Sequence, residues 1–148
     1  MTVPLYFDDL RVGDRFSSGE HALDEAQIKA FAAQFDPQPF HLDSEAAKDS
    51  IFGGLAASGW HTAAVTMKLM VSSGLQIAGG MVGAGGELQW PRPTRPSDVL
   101  HVEMEVLGLR PSSSRPDRGM ATLRSETKNQ HGEVLQVLTS KMVLPRRT

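Results

Sequence analysis

Apolar positions change period along the chain, and each change marks an element. From Asp24 onward, Ile28, Phe31, Ala32 and Phe35 recur on one face of a helix, and Asp24 with Gln27 three positions later has the form of a capping box. A helix is predicted from about 25 to 35. Pro37 and Pro39 forbid its continuation, because neither carries a backbone donor and each biases the preceding residue away from helical angles. A rigid, extended corner is expected there. Asp43 or Ser44 then caps a short helix through Glu45 to Lys48, and Gly53 and Gly54 end that region in a loop.

A second long helix is predicted from Gly59 to Val71. Trp60, Ala63, Ala64, Val65, Met67, Leu69, Met70 and Val71 spread apolar surface around most of its circumference, so it is expected to be buried. Thr62 and Thr66 form a small polar stripe on it, expected to bond back to the helix's own carbonyls.

Beyond residue 86 the period becomes two. Leu100, Val102, Met104 and Val106 alternate with His101, Glu103 and Glu105, as a strand with one buried face requires. Further strands are expected at about 86–91, 120–128 and 133–144, with polar loops PSSSRPDRG and NQHG joining the last three strands in sequential antiparallel order. Near the N-terminus, Gly13-Asp14 signals a turn before a short strand from Arg15 to Leu23. No repeat, linker or low-complexity tract divides the chain, so residues 1–148 are expected to form a single domain of class α+β, an antiparallel sheet wrapped around one long helix. Such a sheet has a second face and open edges, which predicts a homodimer or higher homo-oligomer.

Composition adds boundaries. With 148 residues and 40% hydrophobic content the chain has material for one compact core. The formal charge of −2, from 15 basic and 17 acidic residues, exerts no global pull toward nucleic acid or an anionic membrane, so neither is an expected partner. The apolar region around residues 53–81 is interrupted by His61 and Lys68 and is not a membrane span. MTVPLYFDDLRVGD does not resemble a secretory signal, and a cytoplasmic location is expected. The absence of cysteine excludes disulfides, thiolate metal sites and cysteine nucleophiles.

The chemically distinctive string is DPQPFH, residues 36–41. Two prolines restrict the chain between a carboxylate and an imidazole, as preorganised acid–base chemistry needs: together Asp36 and His41 would bind and polarise one water. Alternatively Asp36 caps local backbone and His41 is an ordinary buried ring. On spacing alone the second is the default.

The wider string FAAQFDPQPFHLDSEAA, residues 31–47, resembles the hydratase motif of the MaoC-like family, which includes the (R)-specific enoyl-CoA hydratases. Asp36, Pro39 and His41 match that motif position by position, with Ala46 or Ala47 as its later small residue. YFDDLRVGD at 6–14 is similar to the family's opening, and FGGLAASGW at 52–60 to its segment ending in alanine, histidine and glycine. The sequence departs from the pattern at Phe35, where Gly is common, at Gln38, where Asn is common, and at Ser58, often His. In PRPTRPSDVL the family usually has Gly before the aspartate; here Pro96 and Ser97 precede Asp98.

The resemblance implies a hotdog fold and water addition to trans-2-enoyl thioesters, yielding (R)-3-hydroxyacyl thioesters. That is the reaction of an enoyl-CoA hydratase or 3-hydroxyacyl-CoA dehydratase, a carbon–oxygen lyase of fatty acid metabolism. It implies Asp36 and His41 as catalytic residues, and Gly59, Ser58 and Gln38 around the thioester, with the Gly59 N–H pointing at its carbonyl. No separate cofactor and no metal are expected, CoA or an acyl carrier being part of the substrate. Two alternatives stay open: a hotdog acyl-CoA thioesterase, and a non-catalytic acyl-thioester-binding subunit.

Other groups are expected to have plainer roles. His61 reads as a hydrogen-bonded core or pocket-lining histidine; His21, His101 and His131 read as solvent-exposed. Arg92, Arg95, Arg115 and Arg118 are surface arginines, with contact to CoA phosphates as the other possibility. GGMVGAGG at 79–86 lacks a Walker lysine and fits a flexible lid or the tight start of a strand.

Overall fold

The computed structural model describes residues 3–147. After a single 3-10 turn (Phe7–Asp9), the chain forms β1 (Arg15–Ser17), β2 (His21–Ala22), α1 (Glu25–Phe35), α2 (Pro39–Leu42), α3 (Ser44–Lys48) and α4 (Gly59–Val71). Four longer strands follow: β3 (Val82–Gln89), β4 (Val99–Pro111), β5 (Arg118–Lys128) and β6 (Val134–Pro145). The sheet is antiparallel in the order β1-β4-β5-β6-β3, with β2 also paired to β4. It curves around α4 in the hotdog arrangement.

The strand expected from Arg15 to Leu23 is split. Ser17 faces Glu103 while His21 faces Leu100, so the intervening residues leave the ladder. Ser18 fills the gap: its N–H donates to Val102 O and its Oγ accepts from Val102 N–H. The glycine-rich stretch is the tight start of a strand rather than a lid, with Gly79 and Gly80 turning at positive φ just before β3. β3 begins at Val82, four residues before the expected start, bulges between Gly83 and Gly85, and lies beside β6 rather than β4. β4 also outruns its alternating pattern, because Leu107 is the extra residue of a bulge: Gly108 then pairs with Thr122, the alternation changes parity, and Leu109 packs against the core, which hides the continuation to Pro111.

Helix α1 matches its predicted span, and Asp24 caps it by accepting from Gln27 N–H. The reciprocal half of the capping box is replaced: the Gln27 amide donates to Ala22 O and accepts from the His21 ring. The corner after α1 is not wholly extended. Pro39 opens α2 at its first position, where the missing N–H would have no intrahelical partner anyway. Asp43 caps α3, accepting from Glu45 and Ala46 N–H.

α4 buries one face instead of its whole circumference. Val65, Leu69 and Met70 enter the main core with Leu100, Val102, Leu123 and Leu144, while Trp60, Met67 and Val71 are exposed. The buried face of its first half is polar. Thr66 Oγ1 donates to Thr62 O, as expected of a helical threonine, but the Thr62 hydroxyl pairs with Thr94 Oγ1 at 2.8 Å. Hydrogen-bonded hydroxyls offset the cost of their burial. A second cluster, Ile28, Ala47, Leu55 and Ala57 with Phe40 against it, fastens α1 and α3 to the segment leading into α4. That cluster brings the end of α1 to the start of α4.

The family's glycine before Asp98 has a conformational explanation. Ser97 holds φ +76°, the left-handed region that disfavours side chains. Its neighbours pin it there: Ser97 N–H donates to Leu23 O, and Asp98 Oδ2 accepts from Arg95 N–H.

Candidate active site

Helix α1 stops at Asp36, whose φ of −154° and ψ of 66° lie outside the helical region that the following proline disfavours. The turn through Pro37 and Gln38 delivers His41 on α2, 4% exposed, with its Nε2 at 3.3 Å from Asp36 Oδ2. The two side chains of DPQPFH are therefore in contact. The other ring nitrogen, Nδ1, lies 2.6 Å from Ala56 O. A carbonyl only accepts, so Nδ1 carries the hydrogen and neutral His41 presents its lone pair at Nε2. An acceptor then faces a carboxylate oxygen, and the pair is suited to share a proton or a water between them.

Asp36 is held ionised. Burial raises its pKa, but hydrogen bonds from Ser58 and Gln38, together with the nearby His41, outweigh burial and hold it below the usual carboxylate value. Ser58 Oγ–H donates to Asp36 Oδ2 at 2.7 Å, and Gln38 Nε2 donates to Oδ1 at 2.5 Å. Ser58 is fully buried and also caps α4, its Oγ accepting from Trp60 N–H at 3.2 Å. Its hydroxyl is thus committed to protein groups on both sides, and it ties the acid to the helix N-terminus.

Gly59 is the first residue of α4. The N–H groups of Trp60, His61 and Thr62 all find acceptors in Ser58; among the described residues none accepts from Gly59 N–H. A side chain at Gly59 has no room, since an added Cβ would stand 2.6–2.8 Å from three atoms of the Trp90 indole. Glycine is required here for close packing, and its free donor sits at the positive end of a 13-residue helix.

His41 and Gly59 both line a cavity of about 200 Å³, together with Phe52, Thr62, Trp90 and Thr94, with Arg92 at its edge. Sequence reasoning did not single out Trp90, Thr94 or Phe52. An aromatic residue at a strand end and a threonine in a proline-rich loop carry no periodic or motif signal.

The arginines separate. The Arg95 guanidinium donates to the carbonyls of Phe52, Gly54 and Leu55, so it holds the loop before α4 instead of meeting solvent. Arg92 is exposed and paired with Glu133 at 2.9 Å. Arg115 and Arg118 flank Asp117 in the β4–β5 hairpin. Seven residues of β5, roughly 23 Å at strand rise, separate Met120 near that hairpin from Thr127 beneath α4. His61 differs from expectation: it is buried and stacked on Phe31 at 4.5 Å, but its Nδ1 has no hydrogen-bond partner. Burial, with His21 nearby, holds its imidazole below the ordinary histidine pKa. His21 and His101 are partly buried and bonded to Gln27 and Glu103; His131 is exposed.

The family model described as MaoC like domain matches residues 11–129, a span containing Asp36, His41, Ser58, Gly59 and Trp90. The uncharacterized protein YdeM of Bacillus subtilis (strain 168) is 33% identical over 126 residues, covering 83% of this chain and 86% of YdeM. The crystal structure of a MaoC-like dehydratase from Rhodospirillum rubrum superimposes with a TM-score of 0.95 at 62% identity, covering 97% of this chain and 99% of that one. An (R)-hydratase from A. caviae involved in PHA biosynthesis superimposes with a TM-score of 0.71 at 26% identity, covering 93% of this chain and 98% of the other. With four-fifths of its length matched by the family and its acid–imidazole pair in contact beside a helix N-terminus, this chain belongs to the MaoC-like dehydratase family.

Proposed function

We propose that the protein hydrates trans-2-enoyl-CoA thioesters to (R)-3-hydroxyacyl-CoA, and catalyses the reverse dehydration. The observation that carries this reading is the 3.3 Å contact between Asp36 Oδ2 and a His41 whose tautomer is set by Ala56 O, beside the free N–H of Gly59.

In the forward direction Asp36 and His41 hold one water. His41 Nε2 takes a proton from it as the water oxygen bonds to the β-carbon, and the displaced π electrons move onto the thioester oxygen. Gly59 N–H and the α4 dipole stabilise that enolate. The imidazolium, stabilised by ionised Asp36, then returns the proton to the α-carbon. Atoms balance as one water added, and no further cofactor is required.

The exposed stripe Trp60, Ala64, Met67 and Val71, spaced at helical intervals on α4, and the edge strand β3 support a homodimer as the working form. Light scattering on Met67→Glu should then report a smaller species than the parent.

The catalytic test is loss of enoyl absorbance with crotonyl-CoA. Asp36→Asn and His41→Ala should each abolish it, and wild-type turnover by either would overturn the assignment. Release of free CoA thiol from saturated acyl-CoA would identify a thioesterase instead; ligand binding without turnover of any enoyl thioester would identify a binding subunit.

A further inference from the structure

A buried glutamine on the core face of a strand needs a reason. Gln136 is fully buried on β6, and its amide oxygen and amide nitrogen each have a hydrogen-bond partner. Trp90 Nε1 lies 2.9 Å from Gln136 Oε1, and Gln136 Nε2 lies 3.1 Å from Thr66 Oγ1. Indole N–H only donates, which settles the orientation of the amide. Thr66 gives its own hydrogen to Thr62 O at 2.8 Å, so it accepts from Gln136 and from Thr127, 2.6 Å away. The donors run in one direction, from the indole through the amide to the backbone of α4.

The far end of that chain is the Trp90 ring. One face of the indole fills the place a side chain would take on Gly59. The ring also meets Trp60 edge-on at 5.4 Å and lines the cavity with His41. A thioester whose carbonyl accepts from Gly59 N–H and whose β-carbon reaches His41 therefore lies against a large, fixed wall. The indole thus forms one wall of a cavity of about 200 Å³.

We propose that Trp90 sets the acyl-chain limit of this site, confining it to short enoyl thioesters, and that Gln136 is the positioning residue that keeps the indole in place. The inference rests on the enoyl-thioester reading and extends it to substrate class. Without the bond to Gln136, the ring is free to move off Gly59 and widen the cavity beside His41. Trp90→Leu removes the wall itself. Trp90→Phe and Gln136→Met each cut the same hydrogen bond while keeping bulk, so their effects on selectivity should not add.

The experiment measures kcat/KM for C4, C6, C8 and C10 trans-2-enoyl-CoA with wild type, Trp90→Leu, Trp90→Phe, Gln136→Met and the last two combined. Thermal melts select the variants that remain folded. Wild type should prefer C4 and C6, and Trp90→Leu should raise the C8 to C4 ratio at least about ten-fold, the lower bound for one methylene of pocket discrimination. Gln136→Met should raise it in part, and the double variant should match Trp90→Phe. An unchanged ratio in both Trp90→Leu and Trp90→Phe overturns the proposal. So does a KM rise equal at every chain length, which would place the ring against the pantetheine arm. Additive effects of Trp90→Phe and Gln136→Met overturn the role of Gln136. Turnover of no enoyl thioester by wild type would defeat the hydratase reading instead, so the two failures are distinguishable.

Discussion

Ser58→Ala removes one hydroxyl that serves two neighbours, and its effect should depend on pH in a way that separates them. The Oγ caps α4 by accepting from Trp60 N–H, an interaction typically worth about 1 kcal/mol. It also donates to Asp36 Oδ2 at 2.7 Å, and a hydrogen bond to a charged group contributes about 1.5–3 kcal/mol. Asp36 keeps Gln38 and His41, which favours the lower end, so the loss at pH 7 should be roughly 2–3 kcal/mol. The folded-state pKa of Asp36 lies below its ordinary 3.8. The stability it contributes is therefore fully present above that pH and fades as pH falls through the folded value. Urea denaturation near pH 7 should show the full loss; below the folded value only the cap, about 1 kcal/mol, should remain. The acid limb of kcat/KM should also move to higher pH, because burial continues to raise the pKa while a lowering hydrogen bond is gone. Equal destabilisation at both pH values, or an acid limb that does not move, would refute the coupling of Asp36 to Ser58.

Gly59→Ala forces the new Cβ into the Trp90 ring, and overpacking of this kind costs about 1–3 kcal/mol; denaturant midpoints should fall and kcat/KM with them. His61→Phe keeps an aromatic surface for Phe31 and removes a buried nitrogen without a partner, so it should stabilise the fold by about 1 kcal/mol or more in the same assay. Because the folded His61 pKa lies below 6.5, wild type loses stability as pH falls from 6.5 toward the folded value; the phenylalanine variant should lack that part of the slope. Ser97→Gly relieves a left-handed backbone that costs an L-residue about 1–2 kcal/mol, offset in part by about 0.5–1 kcal/mol of glycine chain entropy. Its melting temperature should rise by a few degrees.

Local rules made much of the chain legible. The α1 and α4 spans follow from periodicity, the Asp24 cap and the proline stop, and β5 and β6 fall within two residues of their predicted starts. Where the prediction and the structure part, a neighbouring strand has overridden the local signal. Ser18 bridges a gap that only β4 defines, β3 is held in a glycine-rich tract by β6, and the bulge at Leu107 interrupts a pattern that the ladder carries through.

The candidate site divides in the same way. Asp36 and His41 share one proline-stiffened corner, so six residues and a family likeness sufficed to single them out. Sequence alone left open whether they touch, and it had no access to the tautomer of His41, because Ala56 arrives from 15 residues away. Ser58 lies 22 residues from Asp36, and Trp90 lies 46 from Gln136. Close approach between segments so distant in the chain depends on the fold's packing, which carries no local periodicity. What the sequence by itself determined is the rigid acid–imidazole corner, the two long helices and the alternating strands, all consequences of short-range backbone preferences and amphipathic spacing. Only the tertiary structure decided that Ser58 would hold the acid, that Trp90 would fill the side of Gly59, and that a buried threonine–glutamine chain would fix the wall of the cavity.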